Sequence, residues 1–355
     1  MNAALRSLAL VSVTMLVAAC GGGTSATPTP PVPKMSPLTQ EALTSVVIPA
    51  ISGKTASMDI FAVDQAAHRL YIADRLTKGV DVIDISQPAG TFLKTIVVGQ
   101  GTNGLVLAPD LKKLYTGNND STISVIDLDP SSPKVDSVIA TIPTGGKSRT
   151  DEGDYDPQHK KVYYANGDEG FITVIDATTY SVVTKISDLG TLEQPRYNPV
   201  DGMMYVAGSD ENVIIKIDPS TDKMVQKYPV GVPCQPHGIA INPKTDKGLI
   251  GCGDTSYLET VSWDFKTEKL IRVFDQAGAG DMVAYDAKVN RFFFAASNFA
   301  TPGMAIFSGS PIDFLTLVPT STGAHAVAYD EDHDLIYTMD GKPHEAAVWS
   351  LPDPH

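Results

Sequence analysis

The chain has 355 residues, with 41 acidic and 27 basic side chains, so its formal net charge is −14. It contains no run rich in Lys and Arg, and proteins that bind nucleic acid need a basic surface to displace counterions. Composition therefore argues against a nucleic-acid partner and favours a soluble acidic body.

Residues 1–19 are predicted to be a lipoprotein signal peptide. One basic residue, Arg6, precedes an apolar run that ends in "LVAAC", the order typical of secretory signals. The ending resembles a bacterial lipobox, in which Cys20 becomes the lipidated first residue; cleavage without lipidation is the alternative. Gly21 favours the outer membrane, by analogy with Gram-negative bacteria. We therefore expect a bacterial cell-envelope protein, lipid-anchored on the periplasmic or surface side.

Residues 20–41 are rich in Gly, Thr and Pro and are predicted to be a flexible tether. No later segment has the roughly 18 consecutive apolar residues that a membrane helix needs. Residues 42–355 are therefore expected to form one soluble body, which we expect to be monomeric.

The body contains seven similar segments, each with a short apolar strand, an Asp or Asn, a turn and a second strand with a large apolar marker. The markers follow one another in steps of 44, 48, 42, 44, 44 and 44 residues. They are Tyr71, Tyr115, Tyr163, Tyr205, Leu249, Phe293 and Tyr337. A third strand such as "SVID" and a fourth such as "TIVVG" follow in most units. Four short strands per unit are typical of a β-propeller blade.

The seventh unit supplies only three strands, which end in "AVWSLPDPH". The segment "ALTSVVIPAI" before the first unit resembles the fourth strands elsewhere. We therefore predict an all-β protein, a seven-bladed β-propeller with four-stranded blades, whose ring is closed by this N-terminal strand. Closure hides the edges that an open sheet exposes.

Three segments carry a resemblance to a known family: "KLYTGNNDSTISVID", "KVYYANGDEGFITVID" and "MMYVAGSDENVIIKID". They resemble the YVTN/YncE-type seven-bladed propeller repeats, and the similarity covers essentially the whole body, although blades five to seven depart from the motif. The resemblance implies the propeller fold. The group and its relatives include binding lipoproteins, lactonase-like hydrolases and cofactor enzymes, so it leaves the function open.

Aligned units place a polar residue at the start of every innermost strand, twelve residues before each marker. The set is Asp59, Asn103, Asp151, Glu193, His237, Asp281 and His325. Because innermost strands surround the propeller axis, these side chains are predicted to form a ring at one mouth of the central channel. The alternative is that they only cap loop amides and line a wet channel.

The residue types suggest three roles at this mouth. Candidate ligand-binding residues are Asn103, Glu193, the nearby cation Arg149, and His344, a loop residue of the seventh unit. His237 and His325 are the candidate proton-transfer residues in catalysis.

A divalent metal is the predicted cofactor, because several carboxylates in one concave mouth would repel one another without a cation. Oxygen ligands alone favour Ca²⁺ or Mg²⁺, whereas histidines with carboxylates favour Zn²⁺, Mn²⁺, Fe²⁺ or Ni²⁺. The candidate metal ligands are Asp59, Asp151, Glu193, His237, Asp281 and His325.

Cys234 and Cys252 are the other two cysteines of the chain. They are predicted to lie at neighbouring strand ends of the fifth blade, where a disulfide requires Cα atoms about 4.4 to 6.8 Å apart, and the envelope permits disulfides. Two buried thiols, or a metal role for Cys252, are the alternatives.

Two functional hypotheses remain. The first is a lipoprotein that binds a small molecule, a metal ion or a protein partner at the polar mouth. The second is a metal-dependent hydrolase, lactonase or lyase. A haem or quinone enzyme has less support because C-x-x-C-H is absent, and no H-E-x-x-H or G-x-S-x-G motif is present.

Overall fold

A computed structural model of the chain describes residues 44–48, 57–339 and 347–352. The predicted signal peptide with Cys20, the predicted tether and the loop residue His344 lie outside these ranges. Within them, no helix combines the length and apolar character required to span a bilayer.

Six sheets are each formed by four consecutive antiparallel strands. The first blade contains β2 (Met58–Asp64), β3 (Arg69–Asp74), β4 (Gly79–Asp84) and β5 (Thr91–Val97). The second contains β6 (Thr102–Ala108), β7 (Lys113–Asn118), β8 (Thr122–Asp127) and β9 (Ser137–Pro143). The third contains β10 (Gly153–Asp156), β11 (Lys161–Asn166), β12 (Phe171–Asp176) and β13 (Ser181–Ile186).

The next three blades repeat this order along the chain. The fourth contains β14 (Leu192–Tyr197), β15 (Met204–Gly208), β16 (Val213–Asp218) and β17 (Lys223–Pro229). The fifth contains β18 (Pro236–Asn242), β19 (Lys247–Cys252), β20 (Thr260–Asp264) and β21 (Lys269–Phe274). The sixth contains β22 (Val283–Asp286), β23 (Arg291–Ala296), β24 (Gly303–Ser308) and β25 (Phe314–Pro319).

One further four-stranded sheet, which we call the composite sheet, combines strands from both ends of the sequence. Its strands are β1 (Thr44–Val47), β26 (Ala328–Asp330), β27 (Leu335–Met339) and β28 (Ala347–Pro352). The order is β1-β28-β27-β26, with Thr44 opposite Ser350. The all-β propeller with four-stranded blades is thus confirmed. The repeat predicted seven blades, whereas the structure shows six blades built from consecutive strands. The last unit supplies only three strands, and its sheet is completed by β1 from the other end of the sequence.

The repeated Asp or Asn at the end of the first strand, replaced by Ala108 in the second unit, forms the tight turn to the second strand. Asp64 Oδ1 accepts a hydrogen bond from Ala67 N at 3.0 Å, and Asp156 Oδ1 accepts one from Gln158 N at 2.8 Å. In most units the residue before the second strand then takes a left-handed conformation, as at His68 (φ 51°). Side-chain capping of this kind explains why Asp and Asn recur there.

The core lies between adjacent sheets, and the aromatic markers fill it. Tyr115, Tyr163, Tyr205 and Phe293 have no exposed surface. The innermost strands contact one another in a closed series that runs from β2 through β6, β10, β14, β18 and β22 to β26, and back to β2. This circuit brings the starts of seven strands to one end of a central channel.

Candidate functional site: the polar mouth

A cavity of about 310 Å³ opens where the innermost strands begin, and we call it the polar mouth. Its lining includes six of the seven residues that the repeat placed at the strand starts. These six are Asp59, Asp151, Glu193, His237, Asp281 and His325. The seventh, Asn103, is fully buried and lies behind Arg75, which does line the cavity.

Irregular pairing at the strand starts turns consecutive residues toward the channel. In the first sheet the register shifts between Met58 and Phe61, and the fourth sheet has a similar shift between Leu192 and Pro195. A bulge of this kind interrupts the strict alternation of side chains across a strand.

Close packing of neighbouring strands also shapes the mouth. Gly238 N donates to Asp281 O at 3.1 Å, and a Cβ at Gly238 would lie 2.5 Å from that oxygen. Met282 N donates to His325 O at 3.2 Å. These bonds link blades five and six to the composite sheet, and they require glycine at the closest approach.

Asp59 is held between two basic side chains. Arg75 Nη2 binds its Oδ2, and His325 Nε2 lies 3.0 Å from its Oδ1. Arg75 Nε also donates to Asn103 Oδ1 at 2.7 Å, so Asn103 orients the guanidinium and does not reach the cavity itself. Sequence reasoning missed Arg75, although it follows a second strand on the loop that opens toward the mouth.

His325 has an acceptor at each ring nitrogen, since Nδ1 lies 2.9 Å from Gly323 O. Two acceptors favour the doubly protonated imidazolium. Burial opposes the charge, but Asp59 and Asp281 outweigh it and raise the pKa of His325 to about 9. His325 therefore acts as a cation at neutral pH.

Arg149 also lines the mouth, where its Nη2 lies 2.8 Å from Asp151 Oδ2. Burial raises the pKa of Asp151 to about 7, the charge of Asp59 adds to this, and Arg149 opposes it. The Asp151 carboxyl thus holds its proton more readily than an ordinary aspartate does.

His237 begins the inner strand of the fifth blade and faces Asp281, with Nδ1 3.5 Å from Oδ1. Its ring rests on Gly253, where a Cβ would lie 2.3 Å from Nε2. Burial disfavours the charge on His237, but Asp281 raises its pKa above the usual range. Burial alone would raise the pKa of Asp281. The interaction with His237 outweighs burial, so the pKa of Asp281 lies below its usual range.

Glu193 and Glu152 complete the acids of the mouth. Burial raises the pKa of Glu193 to about 7, although His237 opposes the shift. Burial raises the pKa of Glu152 well above its usual range, and the charge of Asp281 adds to the effect. Glu152 Oε2 is buried without a hydrogen-bond partner among the described residues. Sequence reasoning missed Glu152, whose only signal was its position directly after Asp151.

The bases of the mouth balance its acids, which changes the argument for a metal ion. Five carboxyl groups share the cavity with Arg75, Arg149, His237 and His325. Carboxylate repulsion therefore needs no added cation to relieve it. Within the described part of the chain, no group of three or more His, Cys, Asp or Glu is arranged to hold a metal ion. Side-chain geometry gives the predicted metal site no support.

A disulfide joins Cys234 and Cys252, with Cα atoms 4.6 Å apart, so neither thiol is free. Beside it, Gly253 N donates to Gln235 O at 2.9 Å and Asp254 N donates to Cys234 O at 3.2 Å. The bridge therefore joins the loop that precedes His237 to the loop on which its ring rests.

No profile of a known protein family matches the chain, and no curated protein matches it. The functional argument therefore depends on the geometry of the polar mouth.

Proposed function

We propose that this protein is a propeller whose polar mouth binds one small polar solute. The observation that carries the proposal is that six strand-start residues from separate units converge on one cavity of about 310 Å³. Ligand pockets commonly measure about 300 to 1,000 Å³. A cavity at the lower end of that range suits a solute of metabolite size.

The solute should carry both hydrogen-bond donors and acceptors, as a zwitterion or a polyhydroxylated compound does. Arg149 supplies a positive donor, and Glu193 supplies an acceptor. Asp281 Oδ1 has His237 Nδ1 only at 3.5 Å, and Glu152 Oε2 is buried without a hydrogen-bond partner among the described residues. Buried polar atoms are normally satisfied, so a ligand group or water has a role at these two positions.

Binding should be linked to protons near neutral pH, because the pKa values of Asp151 and Glu193 are both about 7. A solute that places an ammonium or hydroxyl group against Glu193 should bind more tightly at pH 8 than at pH 6. A solute that places a carboxylate there should show the opposite preference.

Calorimetry with the full chain tests the proposal, using a panel of amino acids, sugars, sugar acids and polyamines. For a solute that binds, Glu193→Gln and His237→Ala should each weaken affinity about tenfold or more, since a charged hydrogen bond is lost. Glu211→Gln, which changes a surface acid paired with Lys227, is the matched control. If no panel member binds, or if the mouth variants bind like the control, the proposal is wrong.

Acid–base catalysis is the second candidate, because the mouth contains acids whose pKa values are pushed apart. The pKa of Glu193 is raised to about 7, while that of Asp281 is lowered. Such divergent pairs are typical of acid–base sites. In a hydrolase, lactonase or lyase, Glu193 would accept a proton and His237 would return one. Turnover of lactones and esters, with and without added divalent cations and in Glu193→Gln, separates catalysis from binding and tests the metal-dependent alternative.

We also propose that the composite sheet serves as the seventh blade of a YVTN/YncE-type ring and that lipid on Cys20 anchors the body to the outer membrane. The support is the closed series of inner-strand contacts and the "LVAAC" sequence. Cys20→Ser should move the protein from the membrane fraction to the soluble fraction and abolish labelling by a radioactive fatty acid. Unchanged labelling would refute the anchor.

A further inference from the structure

A second cavity, of about 370 Å³, lies at the opposite end of the innermost strands, and we call it the distal cavity. Among the described residues its lining includes four acids, Glu152, Asp154, Asp286 and Glu331, but a single base, Arg196. The polar mouth, in contrast, combines five carboxyl groups with four basic side chains. The two ends of the channel therefore differ in charge, and the distal end is the more acidic.

The single base of the distal cavity is already paired. Arg196 Nη1 lies 3.5 Å from Asp154 Oδ2, and neither side chain is more than 30% exposed. The charges of Arg196 and Asp154 therefore offset each other. The excess negative charge of the lining belongs to Glu152, Asp286 and Glu331.

Asp286 and Glu331 lie at the outer end of the cavity, at the turns that follow two inner strands. Asp286 Oδ1 accepts hydrogen bonds from Lys288 N at 2.6 Å and from Val289 N at 2.9 Å, and these turn bonds do not use Oδ2. Lys288 Nζ lies 3.0 Å from Asp334 Oδ1 and also contacts the backbone oxygen of Glu331. The charge of Lys288 is thus paired beside the cavity, of whose lining it is not part.

Glu152 lies at the inner end and gives an observation that does not depend on counting charges. The residue is only 5% exposed, and its Oε2 is buried without a hydrogen-bond partner among the described residues. Its neighbour Gln194 is satisfied, since Oε1 accepts from Ile239 N at 2.8 Å. Buried polar atoms are normally paired, so Glu152 is placed to accept a hydrogen bond from a bound molecule.

The acids at the two ends are separated along the strands. Met282 takes the position in the sixth unit that Glu152 takes in the third, and Asp286 lies four residues further along the chain, a rise of about 13 Å in a strand. By the same alignment, three apolar side chains of the lining fall between these two levels: Ala62, Leu105 and Ala284. The cavity thus has acidic ends and an apolar stretch between them.

We propose that the distal cavity is a second binding site, separate from the polar mouth, for a linear aliphatic diamine. One ammonium group would contact Glu152, the other would contact Asp286 and Glu331, and the methylene groups would lie along the apolar stretch. Hydrogen bonds between ammonium and carboxylate groups are among the stronger ones in proteins. An ammonium beside Glu152 would also favour the ionised carboxylate.

An organic cation suits the cavity better than a bare metal ion. Its volume of about 370 Å³ falls within the range of about 300 to 1,000 Å³ that is common for ligand pockets. Within the described part of the chain, no group of three or more His, Cys, Asp or Glu is arranged to hold a metal ion.

Calorimetry with the full chain and 1,5-diaminopentane tests the proposal. Pentylamine, which lacks the second ammonium group, should bind at least tenfold more weakly, because one charged hydrogen bond is lost. Pentane-1,5-diol has the same length without charge and should show no measurable binding. Equal affinity for the diamine and pentylamine would contradict two-ended binding.

Asp286→Asn should weaken diamine binding about tenfold without loss of the turn. Asn already occupies this turn position in the fourth blade, where Asn198 Oδ1 accepts from Val200 N at 3.0 Å. Asp64→Asn makes the same change in the first blade, where Asp64 Oδ1 accepts from Ala67 N at 3.0 Å. Asp64 does not line the cavity, so this control should bind like the wild type.

Glu152→Gln tests the inner end and should also weaken diamine binding about tenfold, since it removes the charge and keeps the shape. Melting curves establish that each variant is folded. If Asp286→Asn is not folded, Glu331→Gln at the exposed rim decides the outer end.

Variants of the polar mouth separate this proposal from the function proposed there. Glu193→Gln and His237→Ala should weaken solute binding at the mouth and leave diamine binding within about threefold of the wild type. The distal site is refuted if the diamine does not bind, if Asp286→Asn binds like Asp64→Asn, or if the mouth variants abolish diamine binding. Failure of every other solute to bind at the mouth would leave the diamine results standing.

Discussion

Buried carboxyl groups occur in two regions of this molecule, the polar mouth and the interior of the first blade, and they behave differently. In the mouth, Asp151 lies beside Arg149 and lines a cavity. In the blade, Asp81 is fully buried, accepts a hydrogen bond from Thr95 at 2.5 Å and lines none of the cavities described above. Burial raises the pKa of each aspartate to about 7.

A raised pKa therefore identifies a buried acid without identifying a site. Asp81 contacts Asp74 of the neighbouring strand, and the second blade has a polar pair at the corresponding positions. There Asn118 Nδ2 donates to Ser124 Oγ at 2.9 Å. Asp74 and Asp81 thus belong to a structural contact between strands, in which one acid keeps its proton. The polar mouth differs because acidic and basic side chains converge there on a cavity.

Removal of the disulfide should cause the largest loss of stability, and its local effect should be confined to the loops beside the polar mouth. The double variant Cys234→Ala, Cys252→Ala loses a bridge that spans 18 residues, which by chain entropy costs about 3 kcal/mol of unfolding free energy. Urea denaturation measures the loss. Hydrogen exchange should rise in the loops on either side of β18 and β19, with the first blade unchanged. Equal exchange changes in both regions would contradict the local role.

Arg75→Met should destabilise the mouth by about 2 kcal/mol, because it leaves the buried Asp59 with one basic partner instead of two. The expected loss is below that of a fully buried pair, since the Arg75 side chain is 26% exposed.

The control for this variant is Arg69→Met, at the surface of the first blade. Arg69 Nη1 lies 2.9 Å from Asp84 Oδ2, with both side chains about a quarter exposed or more. A surface pair of this kind is worth about 0.5 kcal/mol. If urea denaturation at pH 7.5 shows the same loss of stability for both variants, the Arg75–Asp59 pair stabilises the protein no more than a surface pair does.

Asp81→Asn should become steadily more favourable relative to the wild type as pH rises from 4 to 7, and the gain should be nearly complete at pH 8. Because the pKa of Asp81 is about 7 when folded and near 3.9 when unfolded, wild-type stability falls as pH rises between those values. Because asparagine does not ionise, the variant does not lose stability in this way as pH rises. Thermal melts from pH 4 to pH 8 measure the difference. Asp84→Asn on the same strand is the control, and its pKa is lowered by hydrogen bonds from Ser86, so that variant should not gain stability.

His325→Gln should change the pH dependence of stability in a different pH window. The folded pKa of about 9 exceeds the unfolded value near 6.5. The stability contribution of His325 is therefore complete below pH 6.5 and is lost as pH rises through 9. The variant should show a shallower decline in stability between pH 6.5 and pH 9. NMR titration of the ring nitrogens checks the assignment, and a His325 midpoint below 7 would contradict it.

The repeat made the strands and the ring of strand starts predictable, because one period locates equivalent positions in every unit. Asp59, Glu193 and His237 line one cavity for that reason. A seven-blade count was harder to infer, since one sheet takes its strands from both ends of the sequence.

Glu152 and Arg75 could not be predicted from the period. In a regular strand, the side chain after Asp151 would point away from the channel. Irregular pairing near a strand start can turn two neighbouring side chains inward, as it does for Glu193 and Gln194. Arg75 lies on a turn, where side-chain direction depends on the folded loop. The metal site stays a prediction; its charge argument counted Arg149 as the one cation at the mouth, whereas Arg75 also lines the cavity.

The composite sheet has a consequence for biogenesis. Thr44 and Ser350 face each other on adjacent strands although the ribosome makes them at opposite stages of translation. Six hairpin-linked sheets can assemble while elongation continues, but the ring stays unsealed until β28 emerges to meet β1. A nascent chain waiting for this late step exposes unpaired strand edges, so chaperones that delay premature association should matter most just before release.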